Sequence, residues 1–515
     1  MSAQRLREFA LVMALSLALL TLLNVPYLVA MNRADGLVFG GSLIAVPDGH
    51  SYLAKMQAGA AGDWLYTLRF TNDPGPAVLL FTYYLGLGHL ARLTGLTVLV
   101  VYHVARLAGG LFFLLTLYHV GLPLAPTTAG RLKRWAAVAL ASGLGWLVTP
   151  LSGALSPDLW VAESIPLLSL FANPHFPMAW ALVLWLLYWG LPEWSGPITA
   201  RSWRVAGVTL FLAEIYPMAL PTVLLTLGGA ALLNWRARGT FSKRELLIPM
   251  TVGLVAAPRL LYTAWLTRTH AQLASWNLQN ASPAPDFPLA LAWGCVPLAL
   301  ALIGLIWVWR SGEARDRLWA MWLFAGVGAI YFPYELQRRL SLGLMFPLVQ
   351  LGIAAWQAMI APRLGSVARR GLTVVLALAA ALSNALVWAG ALAAAGSTEP
   401  EIFLQAAEAR AIAALPADAV VVAAPELGGL IPTRSQARVI YGHAAETPNA
   451  EARRADVLEF FAGDASADFL ELNGVTHVFY GPREAALGQL QLPETGWRLL
   501  SDDGGLRVYG REAQP

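Results

Sequence analysis

Apolar runs recur along the chain between short polar stretches, many of them about 18 or more residues and so long enough to span roughly 30 Å of hydrocarbon. They predict membrane-crossing helices near residues 9–30, 77–93, 97–119, 135–150, 177–192, 204–216, 218–234, 246–266, 287–309, 317–333, 342–360 and 371–395. After residue 396 the pattern shortens. Glu399–Leu415 reads as a helix, Ala419–Ala424 as a buried strand, Arg438–Tyr441 and Val475–Tyr480 as further strands, and 485–511 as a hairpin-like ending. The predicted fold class is an α-helical polytopic membrane protein with about 11–13 transmembrane helices. Residues 1–395 form its membrane part, with an external loop at 32–76, and residues 396–515 form a small C-terminal α/β domain.

Composition agrees. Hydrophobic residues make up 57% of the 515 and charged residues 13%, with a mean hydropathy of +0.56. A soluble domain carries about 25% charged residues. The net charge of +4 hides an asymmetry: the last 120 residues carry about −8 and the remainder about +12. The single cysteine, Cys295, permits no intrachain disulfide. Basic residues are scattered through short loops without interleaved aromatics, which speaks against nucleic acid as a partner. There is no Walker loop, nucleophile elbow or zinc-like cluster, so hydrolase and ATPase readings lack support, and neither a metal nor a cofactor is expected.

Arg201/Arg204, Arg236/Arg238/Lys243/Arg244, Arg310/Arg315/Arg317 and Arg363/Arg369/Arg370 should face the cytoplasm. That places 32–76, 151–176, 267–286, 334–341 and the C-terminal domain outside. Arg131, Lys133 and Arg134 break the alternation, because two crossings between 77 and 119 would put them outside as well. The expected location is a bacterial plasma membrane.

Ionisable groups beside hydrocarbon are functional hypotheses by default. The loop after the first run reads Val46-Pro47-Asp48-Gly49-His50-Ser51-Tyr52-Leu53-Ala54-Lys55-Met56. It gathers a carboxylate, an imidazole, a phenol and an amine within about two helical turns. Two readings of Asp48 stand: a general base within reach of an acceptor hydroxyl, or a helix cap. The stretch that follows, through Trp64, Tyr66 and Phe70, fits an amphipathic helix in the headgroup layer or an aromatic belt. In the second external loop Glu163 is a candidate second carboxylate or a helix cap. His175 is a candidate for phosphate or acceptor binding, or an interfacial histidine, and Asp158 reads as a loop residue. Arg338 and Arg339 sit where topology does not favour positive charge. The arginine fork suits bidentate phosphate binding, with snorkelling to lipid phosphates or a salt bridge to Glu335 as the plainer readings. Lys55 alone on an amphipathic helix reads first as interfacial, Glu214 can line a polar cavity, and His443 and Glu446 read first as a surface loop, with folding back over the membrane site as the alternative.

A first span, an external loop with an Asp, an amphipathic segment, many further spans and a trailing α/β domain together resemble the GT-C integral-membrane glycosyltransferases. Protein O-mannosyltransferases and lipid A aminoarabinose transferases are familiar members. The runs PDGHSYLAKM, ESIPLLSLFANPHFPMAWAL, YELQRRLSLGL and YGHAAETPN…VFYGPRE are similar to those of a group of bacterial GT-C-like proteins. The resemblance implies a GT-C-like fold and an inverting, metal-independent transfer of sugar from a polyprenyl-phosphate-linked donor to a lipid, glycan or protein acceptor, within membrane lipid. It maps the general base onto Asp48; the residues themselves make Glu163 the candidate further catalytic carboxylate and His50, Tyr52, Lys55, His175, Arg338 and Arg339 the candidate substrate-binding residues. Many members carry an Asp-Glu pair at the first position; here Gly49 follows Asp48. No Asp-x-Asp occurs in the external loops, unlike the metal-dependent oligosaccharyltransferases. A lipid or solute transporter and an inactive GT-C-like scaffold are the rival readings.

Overall fold

The computed structural model describes residues 3–191, 197–240, 242–311 and 313–512. Pro192, the last residue of one expected span, the Arg244 side chain of one basic loop and residues 513–515 of the C-terminal region lie outside the described residues.

Six helices among the described residues are long and apolar enough to cross a bilayer: Ala3–Met31, Val98–Leu124, Glu245–Thr269, Phe287–Arg310, Met345–Arg363 and Ser366–Gly396. The chain is a multi-pass membrane protein. His175–Gly190, Ile198–Ile215, Ala219–Arg238 and Ala314–Ile330 occupy other expected crossings, and the one at 135–150 is divided into Thr128–Ala139 and Gly145–Ser152.

The apolar run at 77–93 does not form a helix long enough to cross a bilayer by itself. Its helix starts only at Thr82, after Phe81 in the left-handed region (φ 57°), and ends at Thr94. At 1.5 Å per residue it reaches about 20 Å, short of the roughly 30 Å needed. Its apolar residues serve a helix–helix contact instead. A methyl group on Gly88 would lie 2.0 Å from the Met56 carbonyl oxygen, and one on Gly59 would lie 2.1 Å from that of Leu85. Without a crossing here, the positive-inside reading of the sequence would put Arg131, Lys133 and Arg134 on the same side as the other basic loops.

The chain divides into two compact units, one of residues 1–25, 105–262 and 282–390, the other of residues 26–104, 263–281 and 391–515. In the first, Phe287–Ser311 packs closely on Met345–Ala355, because a methyl on Gly304 would meet the Leu351 carbonyl oxygen at 2.2 Å. The segment before His175 is pinned at both ends. Asp158, fully buried, accepts from the Gly143 and Gly145 amides at 3.1 and 3.0 Å and from the Ser156 hydroxyl. Buried Arg106 donates to the Leu170 and Phe171 carbonyls and, at 2.7 Å, to Asn24 Oδ1.

In the second unit, β1 (Val38–Phe39) pairs antiparallel with β2 (Phe403–Leu404), tying the loop after the first span to the C-terminal region. A five-stranded sheet follows: β3 (Val420–Val422), β4 (Arg438–Val439), β5 (His477–Tyr480), β6 (Trp497–Asp503) and β7 (Leu506–Arg511), ordered β4-β3-β5-β7-β6. β3 is parallel to β4 and β5, while β7 is antiparallel to β5 and β6. The β6–β7 turn uses Gly504 and Gly505, both at positive φ as a tight hairpin requires. Period-two alternation in β3 and β5 divides the core: Val421 and Phe479 pack with Phe70, Leu404 and Ile412 on one face, Val422 and Val478 with Ile440, Val457 and Phe461 on the other. The helix expected over 399–415 is shorter, Ala406–Ala413, closed by a capping box between Gln405 and Glu408.

Candidate functional site

Asp48 stands in the first turn of the helix Val46–Ala61 and is exposed. It is not the cap: that position is Ala45, in the left-handed region (φ 50°) with no side-chain cap bond. The helix is not interfacial either. His50, Ser51, Leu53, Ala54, Lys55 and Met56 are buried, as are Tyr66 and Phe70, while Trp64 stays exposed. The aromatic pattern of a core face and of a membrane belt is the same in sequence; here Phe70 packs in the core of the C-terminal sheet and Tyr66 with Leu68, Leu85 and Phe81.

Lys55, only 1% exposed, is no headgroup lysine. Its ammonium forms an ion pair with Glu446, bonds Ser51 and sits 4.1 Å from the centre of the Phe81 ring. Glu446 also accepts from Ser51 Oγ and, at 3.0 Å, from the Tyr66 hydroxyl. Burial pushes the Glu446 carboxyl up, but Lys55, His443 and the hydrogen bonds from Lys55 and Ser51 outweigh it and hold it at about 2. Burial and the Glu446 charge raise Tyr66 well above the usual phenol range. The loop's His443, Glu446 and Thr447 are therefore buried, while Ala444 stays exposed. His443 Nδ1 accepts from the Ala445 and Glu446 amides at 3.0 and 3.1 Å, so the neutral ring carries its proton on Nε2, which donates to the Pro47 carbonyl at 3.2 Å. Burial lowers His443 below the usual histidine range, against the pull of Glu446 and Asp48.

His50 is buried, and its Nε2 has no hydrogen-bond partner. Burial, then nearby His443 and Arg434, push it down to about 3. It is an internal neutral histidine and not a substrate ligand facing solvent. Tyr52 is half-buried and stacks on Tyr84, 4.3 Å between ring centres.

The first unit assembles a second cluster. The Arg338 guanidinium lies 4.4 Å from the centre of the Trp160 ring, and its Nε is 3.9 Å from Glu163 Oε1. That Nε makes no hydrogen bond. Glu163 caps no helix, since the next one begins at Pro166 with Ile165 at its cap. Its backbone carbonyl accepts from Trp180 Nε1 and from the Gly343 amide. Arg338 is held from behind by its own amide bonding Ser282 O, and Arg339 Nε donates to Ser282 Oγ at 3.3 Å. His175 is buried against Tyr216, whose hydroxyl bonds the Arg339 carbonyl. It shapes the cluster from inside. Glu214 pairs with Arg259 at 3.2 Å. Next to Glu163, Ser164 joins Phe287, Trp293, Leu298, Leu323 and Leu344 in lining an apolar cavity of about 140 Å³. Among the described residues no three His, Cys, Asp or Glu side chains come together as a metal cluster.

Sequence reading offered Glu335 as one salt-bridge partner where the acid near Arg338 is Glu163, read His443 and Glu446 first as a surface loop, and did not single out Trp160. One signal was available: a lone lysine in an apolar helix and a lone glutamate in an otherwise uncharged loop each need a partner once buried.

No family model and no curated protein matches the sequence. Solved structures do. ArnT from Cupriavidus metallidurans bound to undecaprenyl phosphate superposes with a TM-score of 0.54 at 13% identity, covering 99% of both chains. The fold is that of the GT-C transferases. The Archaeoglobus fulgidus oligosaccharyltransferase tethered to an acceptor peptide gives 0.53 at 12% identity over 90% of this chain and 69% of that one. The mycobacterial arabinofuranosyltransferase AftD gives 0.54 at 16% identity; the match covers 99% of this chain but 42% of AftD. At such identities the likeness establishes the GT-C fold and no more.

Proposed function

We propose that this protein is a membrane glycosyltransferase that moves a sugar from a polyprenyl-phosphate-linked donor to an acceptor hydroxyl outside the cytoplasm. The observation that carries the reading is Arg338: a guanidinium stacked on Trp160, with an unbonded Nε, 3.9 Å from Glu163, whose neighbour Ser164 lines an apolar cavity. An anion-binding fork next to an apolar hollow suits a lipid phosphate. The GT-C fold, shared with a protein solved with undecaprenyl phosphate, supports it.

In this reaction Asp48 takes the proton from the acceptor hydroxyl. The oxygen attacks the anomeric carbon, the bond from that carbon to the phosphate oxygen breaks with inversion, and Arg338 offsets the charge left on the polyprenyl phosphate. Glu163 orients the guanidinium. Arg339, His175 and Tyr216 fix the loop behind it. No metal is required by this scheme.

The test is binding of undecaprenyl phosphate to purified protein. Arg338→Ala should weaken it by about 1.5–3 kcal/mol, the scale of a lost charge-assisted hydrogen bond. Arg338→Lys should restore only part, since charge returns without the fork. Equal affinity in wild type and Arg338→Ala would return Arg338 to a structural role.

A further inference from the structure

The helix that carries Asp48 begins poorly. Its cap position is an alanine in the left-handed region and no side chain caps it, although Pro47 suits the first turn. Helix starts lacking such partners leave amide groups unserved and fray. An anchor for this turn, on a carbonyl and not on those amides, comes from almost 400 residues further on. His443 Nε2 donates to the Pro47 carbonyl, one peptide away from Asp48. The same ring cannot swing, because Nδ1 accepts from the Ala445 and Glu446 amides. The loop around it is rigid: Thr447 N bonds the His443 carbonyl at 2.9 Å, and Thr447 Oγ1 bonds the Phe70 carbonyl at 2.6 Å. Three residues past His443, Glu446 takes bonds from Ser51 and Lys55, on the next two turns of the same helix. The 443–447 loop therefore grips that helix at its first turn through a neutral imidazole and at later turns through a carboxylate.

We propose that His443 is a positioning residue for Asp48, a cross-link from the C-terminal sheet domain that fixes the first turn of the helix Val46–Ala61. It touches no substrate and acts through the Pro47 carbonyl. This rests on the assignment of Asp48 as the base, and the two can fail separately.

Two substitutions divide the ring's functions. His443→Asn keeps an acceptor where Nδ1 stands and preserves the loop's own turn, but is too short to reach Pro47. His443→Gln reaches toward Pro47 with an amide donor and loses the acceptor. The experiment compares the full-length wild type and both variants in detergent or nanodiscs by hydrogen–deuterium exchange over peptides covering residues 44–52, alongside steady-state sugar transfer. His443→Asn should raise exchange in 44–52 by about tenfold, leave exchange in 441–449 unchanged and lower kcat by about tenfold with KM for the donor unaltered. His443→Gln should recover part of the lost kcat. Wild-type exchange over 44–52 in His443→Asn overturns the proposal, and so does raised exchange with wild-type kcat. If His443→Asn does not fold, His443→Gln decides alone: kcat reduced less than KM is raised overturns it. Should Asp48→Asn transfer sugar as fast as wild type, the base assignment is what fails, and exchange over 44–52 still decides whether His443 holds that turn.

Discussion

Glu446 and Arg338 are both charged side chains set among apolar residues, and they are treated in opposite ways. Both Glu446 oxygens are engaged, by an ammonium, a hydroxyl and a phenol, and the residue is 4% exposed. Arg338 lies against an indole with its acid 3.9 Å away and its Nε unbonded. A buried charge with every partner in place is part of the scaffold; one held by stacking, with bonding capacity to spare, is poised for a ligand. The contrast assigns stability to the first and binding to the second, and substitutions should separate them.

The largest effect is expected at Glu446. Glu446→Leu leaves the Lys55 ammonium buried without its counter-charge, which should cost about 3–5 kcal/mol and show as a large fall in Tm in detergent. Replacing both partners, Lys55→Met with Glu446→Leu, should restore most of it. Arg338→Ala should melt with the wild type. A Tm loss at Arg338 equal to that at Glu446 would erase the distinction.

The next effect is a pH dependence at His50. The free imidazole titrates near 6.5 and the buried one only near 3, so below pH 6.5 the unfolded chain takes up a proton that the folded chain refuses. Stability contributed by the neutral ring is complete above pH 6.5 and declines as pH falls toward 3, by up to about 1.4 kcal/mol per pH unit. Unfolding measured between pH 7 and 5 should show this slope, and His50→Gln should flatten it. An unchanged slope in that variant would place the acid sensitivity elsewhere. The smallest effect belongs to Trp160. Trp160→Ala should weaken undecaprenyl phosphate binding by about 0.5–2 kcal/mol, the range of one cation–π contact, without altering Tm. Unchanged affinity would mean that the stack does not hold the fork in a binding geometry.

Much of the fold was legible because hydrophobic period and length carry it. The long apolar runs, the buried strand Val420–Val422 and the β6–β7 hairpin all follow from local pattern. The run at 77–93 misled because its apolar residues pack on another helix through Gly59 and Gly88, a contact that looks like a membrane span in one dimension. Tyr66 and Phe70 misled for a related reason: an aromatic buried in a core and one at a bilayer surface differ only in what lies opposite. In the site, Arg338 stood out because a positive charge in that loop goes against topology, and Glu163 because Gly49 follows Asp48 and a second carboxylate has to come from another external loop. Their meeting was not legible, since 175 residues separate them and no period links them. The bond from Lys55 to Glu446 is longer-range still, and it turns an expected headgroup lysine into a core residue.

The central claim, a sugar transferase with Asp48 as its base, is tested most directly by transfer from a panel of undecaprenyl-phosphate-linked sugars, comparing wild type with Asp48→Asn. The substitution keeps the side chain's shape at an exposed position, so expression and Tm should match the wild type. Asparagine is a far poorer proton acceptor, so turnover should fall by about 10² or more. Equal transfer by the two proteins, or none by either across the panel, would contradict the account.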